Sequence, residues 1–269
     1  MRSTLSRRFS RAFILFAATA STVVFPSAAQ DITHSIATES HPLTITLVNQ
    51  HVVLSYPAAT RLDVILRDSQ KQLSGIPYYL GAKLVSASQQ AKVQSKYQHV
   101  IKQLDDLATP QARMVKQQLD QFQFVGRELL ELDYDKIRLK EPKNPLLHGQ
   151  YQLYLTGKSN TLRHKVWLLG LITEPKQVEL LPNQDLDIYL DQMNTFDEAE
   201  TKRPFVIQPD GTIKQPNISY YQPGRVYLAP QAMVFIGFES QTALNQDIAN
   251  LLRYAVVKPS TPSQTAGEK

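Results

Sequence analysis

The sequence predicts an α+β protein made of two small sheet-and-helix domains in tandem, with a helical insertion in the first and an amphipathic helix at the end. Three observations lead there. Strand-like runs come in pairs, LTITLV (43–48) with HVVLSYP (51–57), and VWLLGLI (166–172) with VELLP (178–182). Each pair is followed by a short helical segment with the same Leu-Asp step, TRLDVILRDS (60–69) and QDLDIYLDQM (184–193). Between the copies, residues 86–122 hold no glycine and a single proline, Pro110, and carry two apolar stripes at helical spacing.

Residues 43–48 alternate apolar and polar side chains, as a strand with one buried face does. Asn49-Gln50 is a two-residue polar step into the next run, so the pair reads as a hairpin, ended by Pro57. In TRLDVILRDS, Leu62, Ile65 and Leu66 share one helical face. Thr60 is the expected N-cap and Asp63 half of a capping box; the helix dipole alone favours an acid there, so Asp63 reads as a capping group rather than a catalytic one.

In the second copy Leu186, Asp187, Ile188 and Leu190 stand where Leu62, Asp63, Val64 and Leu66 stand in the first. FVIQPDGTIKQP alternates about Asp210-Gly211, a strong hairpin turn, and residues 224–228 and 233–238 supply two more strands. A ββαββ order with one helix packed on one sheet face is the β-grasp arrangement. The first copy is interrupted after YYLGAKLV, and its missing strands are expected in QFVGRELLEL and around Ile137, Arg138 and Leu139. Two tandem β-grasp domains thus span 42–150 and 151–238, with a helical hairpin at 86–122 inserted in the first.

In the insertion, Val93, Tyr97, Val100, Ile101 and Leu104 mark one stripe and Met114, Val115 and Leu119 another. Thr109-Pro110 between them is an N-cap followed by proline at the first helical position. Its many Gln and Lys residues read as a solvated face, with partner docking as the alternative. Residues 239–257 predict the terminal amphipathic helix, with Leu244, Ile248, Leu251 and Leu252 as its contact face, for its own domain or for a partner protein. Residues 258–269 and 30–41 read as disordered by composition.

Residues 1–29 have the three regions of a secretory signal peptide: Arg2, Arg7, Arg8 and Arg11, an apolar run, and Pro26 to Ala29 before a cleavage site. Removing those four arginines, with no acid among them, takes the formal net charge from +5 to +1. A near-neutral chain has no basic stripe to neutralise phosphates, so nucleic acid is not an expected partner. No later apolar run reaches the ~20 residues of a membrane span. The chain has no cysteine, which excludes disulfides, thiolate metal sites and a thioether-linked lipid. A soluble, monomeric, exported protein is expected.

The six histidines (34, 41, 51, 99, 148, 164) form neither HxH nor HExxH, and no metal or cofactor is expected. There is no GxSxG elbow, glycine-rich phosphate loop or cysteine nucleophile, and no catalytic residue is assigned. Asp105-Asp106, Asp133 with Asp135, and Asp197-Glu198 are acid pairs of the kind glycosidases use, though solvent exposure explains each. Gly126-Arg127 puts a guanidinium where the insertion returns to the sheet, able to fork onto carboxylates or carbonyls. Arg138 is a second candidate contact. Tyr220, Tyr221 and Tyr227, with Arg225 among them, are candidates for stacking on sugars.

YYLGAKL followed by KYQHVIKQL, then VGRELLELDYDKIRL, NPLLHGQYQLYL, VWLLGLI, DLDIYL and the Gly237-Phe238 pair before LNQDIANLL form an ordered set. In it the chain resembles the GfcC-type capsule-biosynthesis proteins of Gram-negative bacteria. The resemblance implies tandem β-grasp domains with the hairpin insertion and terminal helix and a prominent arginine matching Arg127, in a family with no established enzymatic activity, so no enzyme is expected. It implies a periplasmic accessory role in capsule or exopolysaccharide assembly and export, with the export machinery or the polysaccharide as partner. The alternatives are a polysaccharide-modifying enzyme with dispersed carboxylates and a glycan-binding module.

Overall fold

The computed structural model describes residues 41–139, 143–157, 164–181, 183–218 and 225–258. The expected leader, most of the lead-in and of the tail, and Tyr220 and Tyr221 lie outside the described residues. Those described from 41 onward form one α+β unit.

β1 (Leu43–Leu47) and β2 (Val52–Tyr56) form the first hairpin, β1 burying every second residue as its alternation requires. The connection is four residues, 48–51, with His51 at φ 56, rather than a two-residue step. β3 (Thr60–Arg61) leads into α1 (Leu62–Gln70), so Thr60 is a strand residue and not the N-cap. The cap comes from a distant segment: Asn144 Oδ1 accepts the Asp63 N–H at 3.0 Å, and its amide donates to Asp63 Oδ1 at 2.8 Å. β4 (Lys83–Ser86) runs into α2 (Ala87–Leu107) and α3 (Pro110–Leu119), and the Thr109 hydroxyl caps α3 by accepting the Ala112 N–H.

The return is broken into β5 (Phe122–Phe124) and β6 (Arg127–Glu128), which join different sheets. Residues 137–139 form no strand: Tyr134–Arg138 is a helix, α4, capped by Asp133, with Ile137 in the core. β7 (Leu146–Leu147) pairs with β3, and β8 (Gly149–Tyr154) lies between β1 and β4, parallel to β1. A domain boundary at 150 therefore falls inside a strand of the first sheet. That sheet has the order β2-β1-β8-β4-β6, and Leu43, Ile45, Leu47, Leu84 and Leu153 meet Leu62, Ile65 and Leu66 of α1 in one core.

The second sheet repeats this order. β9 (Lys165–Gly170) and β10 (Lys176–Glu179) form its hairpin, followed by α5 (Leu186–Leu190), β11 (Ala199–Ile207), β12 (Ile213–Lys214) and β13 (Met233–Phe238), which returns parallel to β9. The sheet reads β10-β9-β13-β11-β12, with the β11–β12 hairpin turning at Asp210-Gly211 and Gly211 at φ 90. Residues 225–228 form no strand; a single bridge ties Tyr227 to Asp185, while Val226 and Leu228 pack beside Leu186 and Tyr189 of α5.

The far face of this second sheet is covered by the insertion. Leu169, Phe205, Ile207 and Phe235 pack against Val93, Val100 and Leu104 of α2 and Val115 and Leu119 of α3. Gln118 of α3 fastens the two: its amide donates to Gly170 O at 2.9 Å and its Oε1 accepts the Gly170 N–H at 2.7 Å. α6 (Thr242–Leu252) completes the layer, and the terminal helix ends there rather than at 257. Residues 255–257 instead form β14 (Ala255–Val257), antiparallel to β5.

Candidate functional site

Arg127 stands where the first sheet's edge meets the β11–β12 turn of the second. Its position depends on Gly126, where a Cβ would collide with the Ser86 carbonyl and lie 2.7 Å from the Gln90 nitrogen. The Gln90 side chain clamps this step, accepting the Gly126 N–H at 2.7 Å and donating to Phe124 O at 3.1 Å. β6 can therefore press against β4 and the start of α2 only with glycine before the arginine.

Arg127 is 3% exposed, and among the described residues no carboxylate pairs with it. Nη2 donates to Ala82 O at 3.3 Å, Nη1 donates to Arg253 O at 3.2 Å, and the buried Nε has no partner among the described residues. Arg253 turns back onto the second sheet, its Nε donating to Gly211 O at 2.7 Å. Burial pulls Arg127 down to about 10, with Asp210 acting against it and Arg253 with it. A buried cation satisfied only by carbonyls retains a large unspent attraction for an anion. It borders a cavity of about 270 Å³, which Asp210, Arg253, Glu131, Asp133, Lys136 and Lys143 also line.

Lys83, at the start of β4, belongs to the same seam. It is half-buried, and burial, then the Arg127 charge, lower it to about 7. Sequence reasoning missed it, because a lysine at a strand end looks solvated until the second sheet is placed beside it.

The other candidates do not join this site. Arg138 is exposed on α4, its Nε 3.3 Å from Asp135 and its guanidinium 5.8 Å from the Tyr134 ring centroid. A pair so exposed contributes little. Tyr227 is 52% exposed and Arg225 is also exposed, and neither lines the Arg127 cavity. Leu244, Ile248, Leu251 and Leu252 are buried against α2 and the second sheet, so the contact face of α6 is occupied within the chain. At about 1.5–3 kcal/mol for each large apolar side chain, those four hold the helix firmly in place.

The acid pairs are dispersed. Asp105 takes the Lys116 ammonium at 2.7 Å, Asp133 caps α4, and Glu198 accepts from Gln111 at 3.5 Å. Among the described residues no group of three His, Cys, Asp or Glu side chains is arranged to hold a metal, and no helix is long and apolar enough to cross a membrane.

Comparison with known proteins matches the chain in two blocks. The family described as Capsule biosynthesis GfcC, N-terminal, covers residues 40–158, the first sheet with its insertion. Capsule biosynthesis GfcC C-terminal covers 174–257, from the turn after β9 to the end of β14. A relative from Escherichia coli (strain K12), Uncharacterized protein YjbG, is 30% identical over 154 residues, which are 55% of this chain and 60% of that protein. With its two halves matched in order by the two halves of one family, the chain belongs to the GfcC capsule biosynthesis family.

Proposed function

We propose that the chain is a non-catalytic, periplasmic accessory protein for capsule or exopolysaccharide assembly and export, working through protein or glycan contacts. The observation that carries this is Arg127: a buried guanidinium held by carbonyls, with Nε unpartnered, beside an inter-sheet cavity in a member of a capsule biosynthesis family. Such a group is built to hold an anionic or carbonyl-bearing partner and has no proton to exchange at neutral pH.

Each half is read as a β-grasp domain. In support, each sheet is a hairpin crossed by a helix, with its central pair, β1 with β8 and β9 with β13, parallel. Export to the periplasm rests on the leader-like residues 1–29. The test is deletion of the gene: surface polysaccharide should fall in amount or change in length, and normal polysaccharide in the deletion strain would refute the reading.

One observation favours the enzymatic alternative. The Arg127 cavity brings together three acids, Glu131, Asp133 and Asp210, from both halves of the chain. Turnover of purified capsule by the protein, abolished by Asp210→Asn, would establish that alternative.

A further inference from the structure

Lys83 borders a separate cavity, of about 150 Å³, which does not include Arg127. One cross-strand pair from each sheet lines it: Lys83 opposite Tyr154 from β4 and β8, and Trp167 opposite Gln177 from β9 and β10. Lys165 and Gln231 add to the second sheet's side, and the backbone of β14 passes along it. No acid lines it among the described residues. The volume is below the roughly 300–1,000 Å³ of drug-sized sites, so it suits one small ring rather than an extended chain.

Its chemistry is selective. Trp167 sits edge-on to Phe122, with ring centroids 4.9 Å apart, which fixes the indole in place. A fixed aromatic ring beside amides and a phenol suits a group with one apolar face and a rim of hydroxyls. The half-buried Lys83 ammonium faces this cavity with no acid or hydrogen-bond partner among the described residues, leaving its donors open to an anionic group. The charged and titratable groups around it are Arg127, Arg253, Lys165 and Tyr154, with Asp210 on the far side at Arg127.

We propose that this cavity binds one acidic sugar residue, its ring against Trp167, its carboxylate on Lys83 and its hydroxyls on the amides of Gln177 and Gln231. The choice of a sugar rests on the capsule reading above. A carboxylate supplies the counter-charge that the protein withholds. Because burial holds Lys83 at about 7, its charge is present in mildly acidic solution and lost above neutrality.

Trp167 is the chain's single tryptophan, so its fluorescence reports on this cavity directly. The full chain is titrated with methyl glucuronide, methyl glucoside, sodium acetate and inorganic phosphate. Methyl glucuronide should give a saturable change at about pH 6 and bind about tenfold more weakly at about pH 8.5, as Lys83 loses its proton. The glucoside should bind at least about tenfold more weakly than the glucuronide, a gap of one charge-assisted hydrogen bond. Lys83→Met should erase that preference, whereas Lys102→Met, exposed on α2 and outside the cavity, should keep it. The rise in melting temperature with ligand is read in parallel, so a misfolded variant is recognised as such.

Equal binding of glucuronide and glucoside, or no saturable change with any sugar, overturns the inference. So does acetate or phosphate binding as tightly as the glucuronide, which would leave only an anion site. Failure here with capsule lost on gene deletion refutes the sugar site alone; binding here with capsule intact on deletion refutes the accessory role alone.

Discussion

Replacing Gln118 with leucine tests whether the insertion, which follows the first sheet's β4, is structurally part of the second sheet. Gln118 is buried and holds both backbone groups of Gly170. Gln118→Leu keeps roughly the side-chain volume, so no large cavity opens. The Gly170 carbonyl keeps the Ile172 N–H at 2.9 Å, but the Gly170 N–H loses its acceptor. One buried, unsatisfied donor costs about 1–3 kcal/mol and the second lost bond about 0.5–1.5, together about 2–4 kcal/mol. For a chain of this size that lowers Tm by about 5–15 °C. Thermal unfolding followed by circular dichroism measures it, with Gln117→Leu on the exposed side of α3 as control. Hydrogen exchange should quicken in α3 and in β9 together. An unchanged Tm, or faster exchange in the hairpin alone, would refute the claim that the two are one cooperative layer.

Three further outcomes follow from the geometry. Gly126→Ala should shift β6 against Ser86 and Gln90 and cost about 1–3 kcal/mol, as overpacking does, read as a lower urea midpoint with unchanged m-value. Ile248→Ala, at a fully buried position of α6, should cost about 2–5 kcal/mol; a surface-like cost under about 0.5 would mean the helix does not dock in cis. Lys83 sits at about 7 when folded against 10.5 ordinarily, so between those values the unfolded chain holds a proton that the folded chain lacks. Stability should therefore rise with pH across that window, before Tyr56 and Tyr79, both pushed up to about 12, reverse the slope above about pH 10; Lys83→Met should flatten the rise in urea midpoint.

The pairs of strands and the Leu-Asp helices were legible because their signal is local: alternation in 43–47, and the shared face of Leu62, Ile65 and Leu66. What the apolar stripes of 86–122 do not carry is an address. Val93, Val100 and Leu104 announce a buried face without saying which sheet buries it, and their place in the chain points to the wrong one. Ile137-Arg138-Leu139 fits a strand and a helical turn equally, and only Asp133, capping the next residues, decides for α4. The run 224–228 looks like a strand by its alternation, yet Val226 and Leu228 turn inward without a ladder to join.

The same division holds at the site. Gly126-Arg127 was visible because a glycine before an arginine at a strand start is a local mark. Lys83, Arg253 and the Asp210 turn come to it from three other parts of the chain, and Arg253 lies beyond α6. The leucine and isoleucine positions of α6 mark an apolar face, but helical periodicity is blind to whether what covers it is internal. Here Asn245 settles the matter, its side chain exchanging two bonds with the backbone of Phe238 at 2.8 and 2.7 Å.

The role proposed for Arg127 is contact with the polysaccharide or its export machinery rather than holding the fold. The most direct measurement is surface polysaccharide in a deletion strain complemented with the wild-type gene or with Arg127→Met, with periplasmic protein level and Tm measured for each. Arg127→Met gives up two hydrogen bonds to carbonyls and also the burden of a buried charge, so the variant should accumulate in folded form. Wild type should restore surface polysaccharide, while folded Arg127→Met should not. Full restoration by Arg127→Met would contradict it and leave the arginine a structural residue.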